Sequence, residues 1–159
     1  TLGLYAETQG ISKAIAPMLG TFSLIALTIG YLLGIVFVPK YINQSKALAL
    51  SAILGIVFAT FAIITQGMTS IIFIILLCFA HAMMWPSIWP LSIDKLGSHT
   101  ALGSALLIMA IAGGAILPLL YGSFVDLLGG DRQLPYIMLL PCYAMIFYFS
   151  VWGHKVGKK

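Results

Sequence analysis

Four long stretches of this chain carry no formal charge. Lys13 to Lys40 encloses 26 such residues, Lys46 to Asp94 encloses 47, Lys95 to Asp126 encloses 30, and Arg132 to Lys155 encloses 22. Within them the apolar residues run on continuously instead of alternating with polar ones, which excludes the strands of a membrane β-barrel. A helix needs roughly 20 apolar residues, at about 1.5 Å each, to cross the hydrocarbon core of a bilayer. The stretch of 47 therefore holds two helices, with Gln66-Gly67-Met68-Thr69-Ser70 as the turn between them. The pattern predicts an all-α membrane protein with five transmembrane helices, at about 14–38, 47–65, 71–93, 100–122 and 135–153.

Composition agrees. Of 159 residues, 61% are hydrophobic and 8% charged, against about 45–50% and about 25% in soluble domains. So few charges cannot cover a water-facing surface, which excludes a soluble globular domain. The net charge of +4 comes from basic residues scattered singly, which is not the footprint of a nucleic-acid binder. Cys78 and Cys142 lie inside apolar runs and read as small buried hydrophobes. His81, His99 and His154 are too far apart in sequence to suggest a local metal site, and no cofactor is implied.

Five spans place Lys40, Lys46, Lys95, Lys155, Lys158 and Lys159 on one side, with Lys13 and Arg132 opposite. The positive-inside rule puts the first group in the cytoplasm, so the C-terminus is expected inside. Tyr148 and Trp152, just before Lys155, suit an aromatic belt at that interface. The chain begins with Thr1 instead of Met, on the outer side. A missing earlier helix is therefore expected.

Lipid and protein interior are equally apolar, so helices in a bilayer associate through close packing at small residues. Gly30 and Gly34 in the first span, Ser51 and Gly55 in the second, and Gly103, Ser104, Ala110, Ala112, Gly113 and Gly114 in the fourth are candidates. Prolines interrupt three spans. Pro86, Pro90, Pro118 and Pro141 would free the carbonyls of Ala82, Pro86, Gly114 and Ile137. Such broken backbone is tolerated where protein or a watery cavity surrounds it.

The third span carries the most unusual chemistry. In a continuous helix His81, Trp85, Ile88 and Ser92 share one face, flanked by Met84 and Trp89. Indoles can stack on the C–H face of a sugar while neighbouring polar groups take its hydroxyls. The alternative is that His81 caps a freed carbonyl and the tryptophans fill the core. Tyr31 and Tyr121 are further candidates, each also readable as packing or as an interface anchor. Asp94 with Lys95 reads as a solvated loop pair, and Asp126, Asp131 and Arg132 as an external loop turning at Gly129-Gly130. No carboxylate is expected inside a span, so His81 is the one side chain within them able to titrate near neutrality.

The stretch His81-Ala-Met-Met-Trp-Pro-Ser-Ile-Trp-Pro-Leu-Ser-Ile-Asp-Lys-Leu-Gly-Ser98, followed by Gly103 to Pro118, resembles the tenth and eleventh helices of the fucose–galactose–glucose:proton symporter family. That family lies within the major facilitator superfamily. Gly30-Tyr31-Leu32-Leu33-Gly34, Pro39-Lys40 and Lys46-Ala47-Leu48 resemble its eighth helix and the following cytoplasmic loop. The resemblance implies a twelve-helix transporter of two six-helix halves, with substrate near the membrane midplane.

The five spans would be helices eight to twelve, and Thr1 to Gly10 the outer end of the seventh. The implied partners are a hexose-type sugar (glucose, galactose or fucose), protons, the bilayer and the N-terminal half of the same transporter, in a bacterial inner membrane. His81, Trp85, Trp89, Tyr31 and Ser92 become the expected sugar-binding residues. In the family the acidic residues that couple protons belong to the N-terminal half, and an amide is more usual where His81 stands. The superfamily's charged loop signature is reduced here to Gly34, Lys40 and Lys46.

Rival readings are a stand-alone membrane scaffold or assembly subunit, a transporter of a non-sugar solute, and an intramembrane serine hydrolase using Ser104 and His81. The last lacks a recognisable nucleophile motif, so no enzyme is expected.

Overall fold

A computed structural model describes residues 2–12, 14–38 and 40–156. Thr1, Lys13, Pro39, Lys158 and Lys159, used above for orientation and resemblance, lie outside the described residues. The chain is helical throughout: α1 (Leu2–Thr8), α2 (Ala16–Phe37), α3 (Gln44–Ile64), α4 (Gly67–His81), α5 (Met84–Ile93), α6 (Thr100–Ala110), α7 (Gly113–Leu127) and α8 (Leu139–Val151). Short 3-10 turns at Gly97–His99, Leu134–Met138 and Gly153–Lys155 complete it.

These helices make five segments long and apolar enough to cross a membrane: Pro17–Phe37, Gln44–Ile64, Gly67–Ile93, Gly97–Leu127 and Leu134–Val151. Side chains such as Ile35, Leu119, Leu127 and Met145 point outward and exposed, as lipid-facing positions must.

Local chemistry sets the ends. Pro17 sits in the first turn of α2, where its missing N–H costs nothing. Val38, which precedes Pro39 in the sequence, is extended and ends that helix, as a residue before proline prefers. The turn expected over Gln66 to Ser70 is shorter than its polar residues suggested. Thr65 and Gln66 alone bridge α3 and α4, because Gly67 adopts φ +63° and reverses the chain at once. Ser70 is instead a buried helical residue whose hydroxyl donates to the Ala62 carbonyl at 2.5 Å. Asp126 likewise belongs to the last turn of α7, not to a loop, and the reversal follows at Gly129 and Gly130 (φ +67° and +94°).

The third and fourth spans are each two helices. The third breaks at Ala82 and Met83 and resumes as α5, with Pro86 in its first turn. Pro141 holds the equivalent place in α8. There a proline removes an N–H that had no helical partner in any case. Pro90 and Pro118 remain inside α5 and α7. The fourth span breaks at Ile111 and Ala112, ahead of Gly113 and Gly114, where short-range bonds such as Gly114 N–H to the Ile111 carbonyl (2.8 Å) tighten the backbone.

Two clusters form the core. One joins Tyr5, Ala6, Leu19, Ala62, Ile71 and Ile74; the other joins Leu48, Ala59, Leu77, Met84 and Tyr143. The Gly30–Gly34 pair seats the break of the third span. A Cβ on Gly30 would lie 2.6 Å from that of Ala82 and 2.9 Å from the Phe79 carbonyl oxygen, and one on Gly34 would strike the Met83 thioether. Gly55 gives the same close approach to the ring of Tyr143, at 2.9 Å.

The fourth span behaves differently from its expected small-residue packing. Space around Gly113 and Gly114 is open to 4 Å, and Val125 is the one buried residue described in α6 and α7. Gly103 is the exception, since a Cβ there would lie 2.5 Å from the Leu96 side chain.

Candidate functional site

The third span is interrupted at Ala82 and Met83, directly after His81. His81 ends α4, and its Nε2 lies 2.6 Å from the Tyr143 hydroxyl on α8. The two rings are tilted at 33° with centroids 5.7 Å apart. Thus His81 binds a side chain of the last span instead of capping a freed carbonyl. Trp85 and Trp89, one turn apart on α5, form a tilted pair with centroids 5.7 Å apart, and Trp85 is 41% exposed. Two indoles in this arrangement offer an apolar platform with N–H groups at its edge.

The other expected residues are distributed. Tyr31 on α2 lines a cavity of about 200 Å³ with Gly34, Met83, Pro86 and Ser87. Ser92, a turn beyond Trp89, lines a separate cavity with Lys95, Phe149 and His154. Trp85 and Trp89 are therefore brought together, whereas His81, Tyr31 and Ser92 face different neighbours. Tyr121 donates its hydroxyl to the Arg132 carbonyl at 2.7 Å and meets Tyr136 edge-on, which makes it an anchor at the end of α7. Cys78 and Cys142 are free, each with its Sγ toward the carbonyl four residues earlier.

Two features escaped the sequence. Ser87, 1% exposed, has a hydroxyl with no hydrogen-bond partner among the described residues, and it sits in the wall of the Tyr31 cavity. A buried hydroxyl without a partner is uncommon and costly. The second is a polar knot at the opposite end of the bundle. The two N–H groups of Gln133 Nε2, one of them shared, donate to the carbonyls of Ala62, Ile63 and Thr65, at 2.9, 2.8 and 2.5 Å, closing the end of α3. Its Oε1 accepts from Gln9 Nε2 at 3.1 Å, and Gln9 Oε1 accepts the Gly67 N–H at 2.7 Å. Ser70 donates to Ala62, so the 2.5 Å contact of Tyr5 with Ser70 is a bond donated by the tyrosine. A lone glutamine in a loop carries no periodic signal, so none of this was predictable.

Lys46 lies at the start of α3, and Asp94, Lys95 and Lys155 follow the ends of α5 and α8, while Glu7, Asp126, Asp131 and Arg132 lie at the ends of α1 and α7 and in the loop after α7. Lys40 lies over the ring of Tyr41 at 5.4 Å.

No protein-family model matches the chain. It is 35% identical over 116 residues to the glucose/galactose transporter of Brucella abortus (strain 9-941), covering 73% of this chain and 28% of that protein. It is 31% identical to the L-fucose-proton symporter of Haemophilus influenzae, across 97% of this chain and 37% of the other. The chain is a relative of these bacterial sugar transporters.

Its fold agrees. Over 94% of its length it superposes on a solved major facilitator superfamily transporter, FucP in the outward conformation, with a TM-score of 0.82 at 23% identity. The match covers 39% of FucP. The resemblance to the C-terminal part of a fucose–galactose–glucose:proton symporter, drawn from the first, third and fourth spans and the loop after the first, therefore stands. The chain spans between 28% and 37% of the length of the curated relatives it matches. These relatives are named as transporters, not as scaffolds or hydrolases. Ser104, the nucleophile of the latter, makes no hydrogen bond to His81 among the described residues; that imidazole is engaged by Tyr143.

Proposed function

We propose that this chain forms the C-terminal wall of a sugar:proton symporter that works by alternating access. The observation that carries the reading is the broken third span. In a chain related to glucose/galactose and fucose transporters, it presents paired indoles beside a backbone interruption seated on Gly30 and Gly34. Interrupted helices near the midplane are where secondary transporters build substrate sites.

Trp85 and Trp89 stack on the C–H face of a hexose-type sugar (glucose, galactose or fucose). Tyr31 and the unpartnered hydroxyl of Ser87 supply polar contacts from the adjoining cavity. Ser92 lies at the same helix's far end. His81 acts from the edge of the site, its imidazole oriented by Tyr143. An N-terminal half of the same transporter supplies the opposing wall and the carboxylates that couple protons, since the carboxylates described here, Glu7, Asp94, Asp126 and Asp131, lie at or beyond span ends. The chain sits in a bacterial inner membrane with its lysine-rich end and C-terminus in the cytoplasm, and performs no covalent chemistry.

The test is Trp85→Ala and Trp85→Phe in the native polypeptide. Loss of a stacking ring weakens sugar binding by about 1–3 kcal/mol, or roughly five- to 150-fold; the phenylalanine variant keeps a platform and loses less. Unchanged sugar affinity and uptake in Trp85→Ala would remove the residue from the site.

A further inference from the structure

The cavity around Ser92 has a different character from the Tyr31 cavity, and sugar transport leaves it unused. It encloses about 230 Å³ between the end of α5 and the end of α8. Its lining combines apolar side chains, Leu91, Leu96, Phe149 and Val156, with the polar Ser92, Lys95 and His154. His154 donates Nδ1–H to the Phe149 carbonyl at 3.0 Å, which leaves Nε2 as the ring's other polar atom. Lys95 is held at φ +61°, the one non-glycine residue in the left-handed region among those described. Such conformations are costly for a lysine and persist at ligand clamps and switches.

Depth identifies the ligand. Tyr148 and Trp152, with ring centroids 6.0 Å apart, are 56% and 58% exposed, and Trp152 directly precedes the cavity residues Gly153 and His154. An exposed aromatic pair at the end of a span marks the headgroup level of a bilayer. Lys95 and Lys155 outweigh the carboxylate of Asp94, the acidic residue that precedes Lys95. We propose that this cavity binds the phosphate of an anionic phospholipid headgroup. The lysine and the Ser92 hydroxyl take the phosphate, and the apolar side chains take the glycerol and the upper acyl chain. Basic pockets between spans at a membrane surface suit such headgroups. The proposal requires a bilayer but no particular transported solute.

The test uses a photoactivatable phosphatidylglycerol in nanodiscs holding the native polypeptide, with labelled peptides mapped by mass spectrometry. Label is expected on the peptides carrying Leu96 and Phe149. In Lys95→Asn, which keeps the left-handed backbone accessible, labelling falls about fivefold. Lys95→Arg keeps it, Lys155→Gln lowers it by less than Lys95→Asn does because Lys155 does not line the cavity, and a phosphatidylcholine probe does not enrich there. Equal labelling by the two lipids, undiminished labelling in Lys95→Asn, or an equal fall in Lys155→Gln would overturn the site. Suppression by inorganic phosphate at millimolar concentration would assign the cavity to free phosphate and overturn the lipid.

Discussion

His81 Nε2 and the Tyr143 hydroxyl lie 2.6 Å apart, joining the end of α4 to α8 directly above the space left by Gly55. The bond connects the helix that ends at the break in the third span to the last span, and it is the only side-chain hydrogen bond described between those two helices. Removing the hydroxyl in Tyr143→Phe should lower stability by about 1 kcal/mol, the usual size of an interhelical bond in a membrane protein. Thermal unfolding in detergent reads this. The ring stays in place over Gly55, so a loss several times larger would mean that the hydroxyl has another role.

Four glycines rank themselves by what a methyl group would meet. Gly30→Ala should be the most damaging, since the new Cβ meets the Ala82 Cβ and the Phe79 carbonyl, neither of which can swing away. Gly34→Ala meets a flexible Met83 thioether and should be milder. Gly113→Ala and Gly114→Ala meet nothing within 4 Å and should be neutral, or stabilising by up to about 1 kcal/mol through helix propensity. Melting temperatures of the four variants test the order. Damage from Gly113→Ala comparable to that from Gly30→Ala would contradict the seat assigned to the first span.

Gln133 should matter more than its loop position suggests. Gln133→Ala removes the amide that serves three carbonyls at the end of α3 and leaves Gln9 Nε2 without its acceptor, at an expected cost of about 1–3 kcal/mol. Gln133→Glu should be no better, because a carboxylate cannot donate to carbonyls. Faster amide exchange at Thr65 and Gly67, relative to wild type, would locate the loss. Unchanged exchange in both variants would mean the knot contributes nothing to holding α3 against α4.

Transport should need more than this chain. A 159-residue wall cannot close around a midplane site, so purified chain in liposomes should show no sugar uptake above empty vesicles. Saturable, sugar-specific uptake by it would require a different mechanism.

Much of this architecture could be read from charge spacing alone. Uncharged runs counted the five spans because burying a lysine or carboxylate in lipid is costly, and that cost acts on every residue of a span. Pro86 pointed to a free carbonyl at Ala82, and the break lies there. What periodicity could not supply was the consequence of that break. Placing His81 and Trp85 on one face assumes an unbroken helix; the chain instead divides them between α4 and α5, and the imidazole bonds Tyr143. Tyr143 is 62 residues away, and Gln9 is 124 from Gln133. Pairings over such distances are set by how helices cross, which no local pattern encodes.

The most direct measurement is hexose uptake by the native polypeptide reconstituted in liposomes, under an imposed inward proton gradient. The account predicts that glucose, galactose or fucose accumulates against its gradient, that the lumen acidifies as sugar enters, and that Trp85→Ala blunts both together. A folded, reconstituted protein that moves none of these sugars, or moves them without protons, would contradict it.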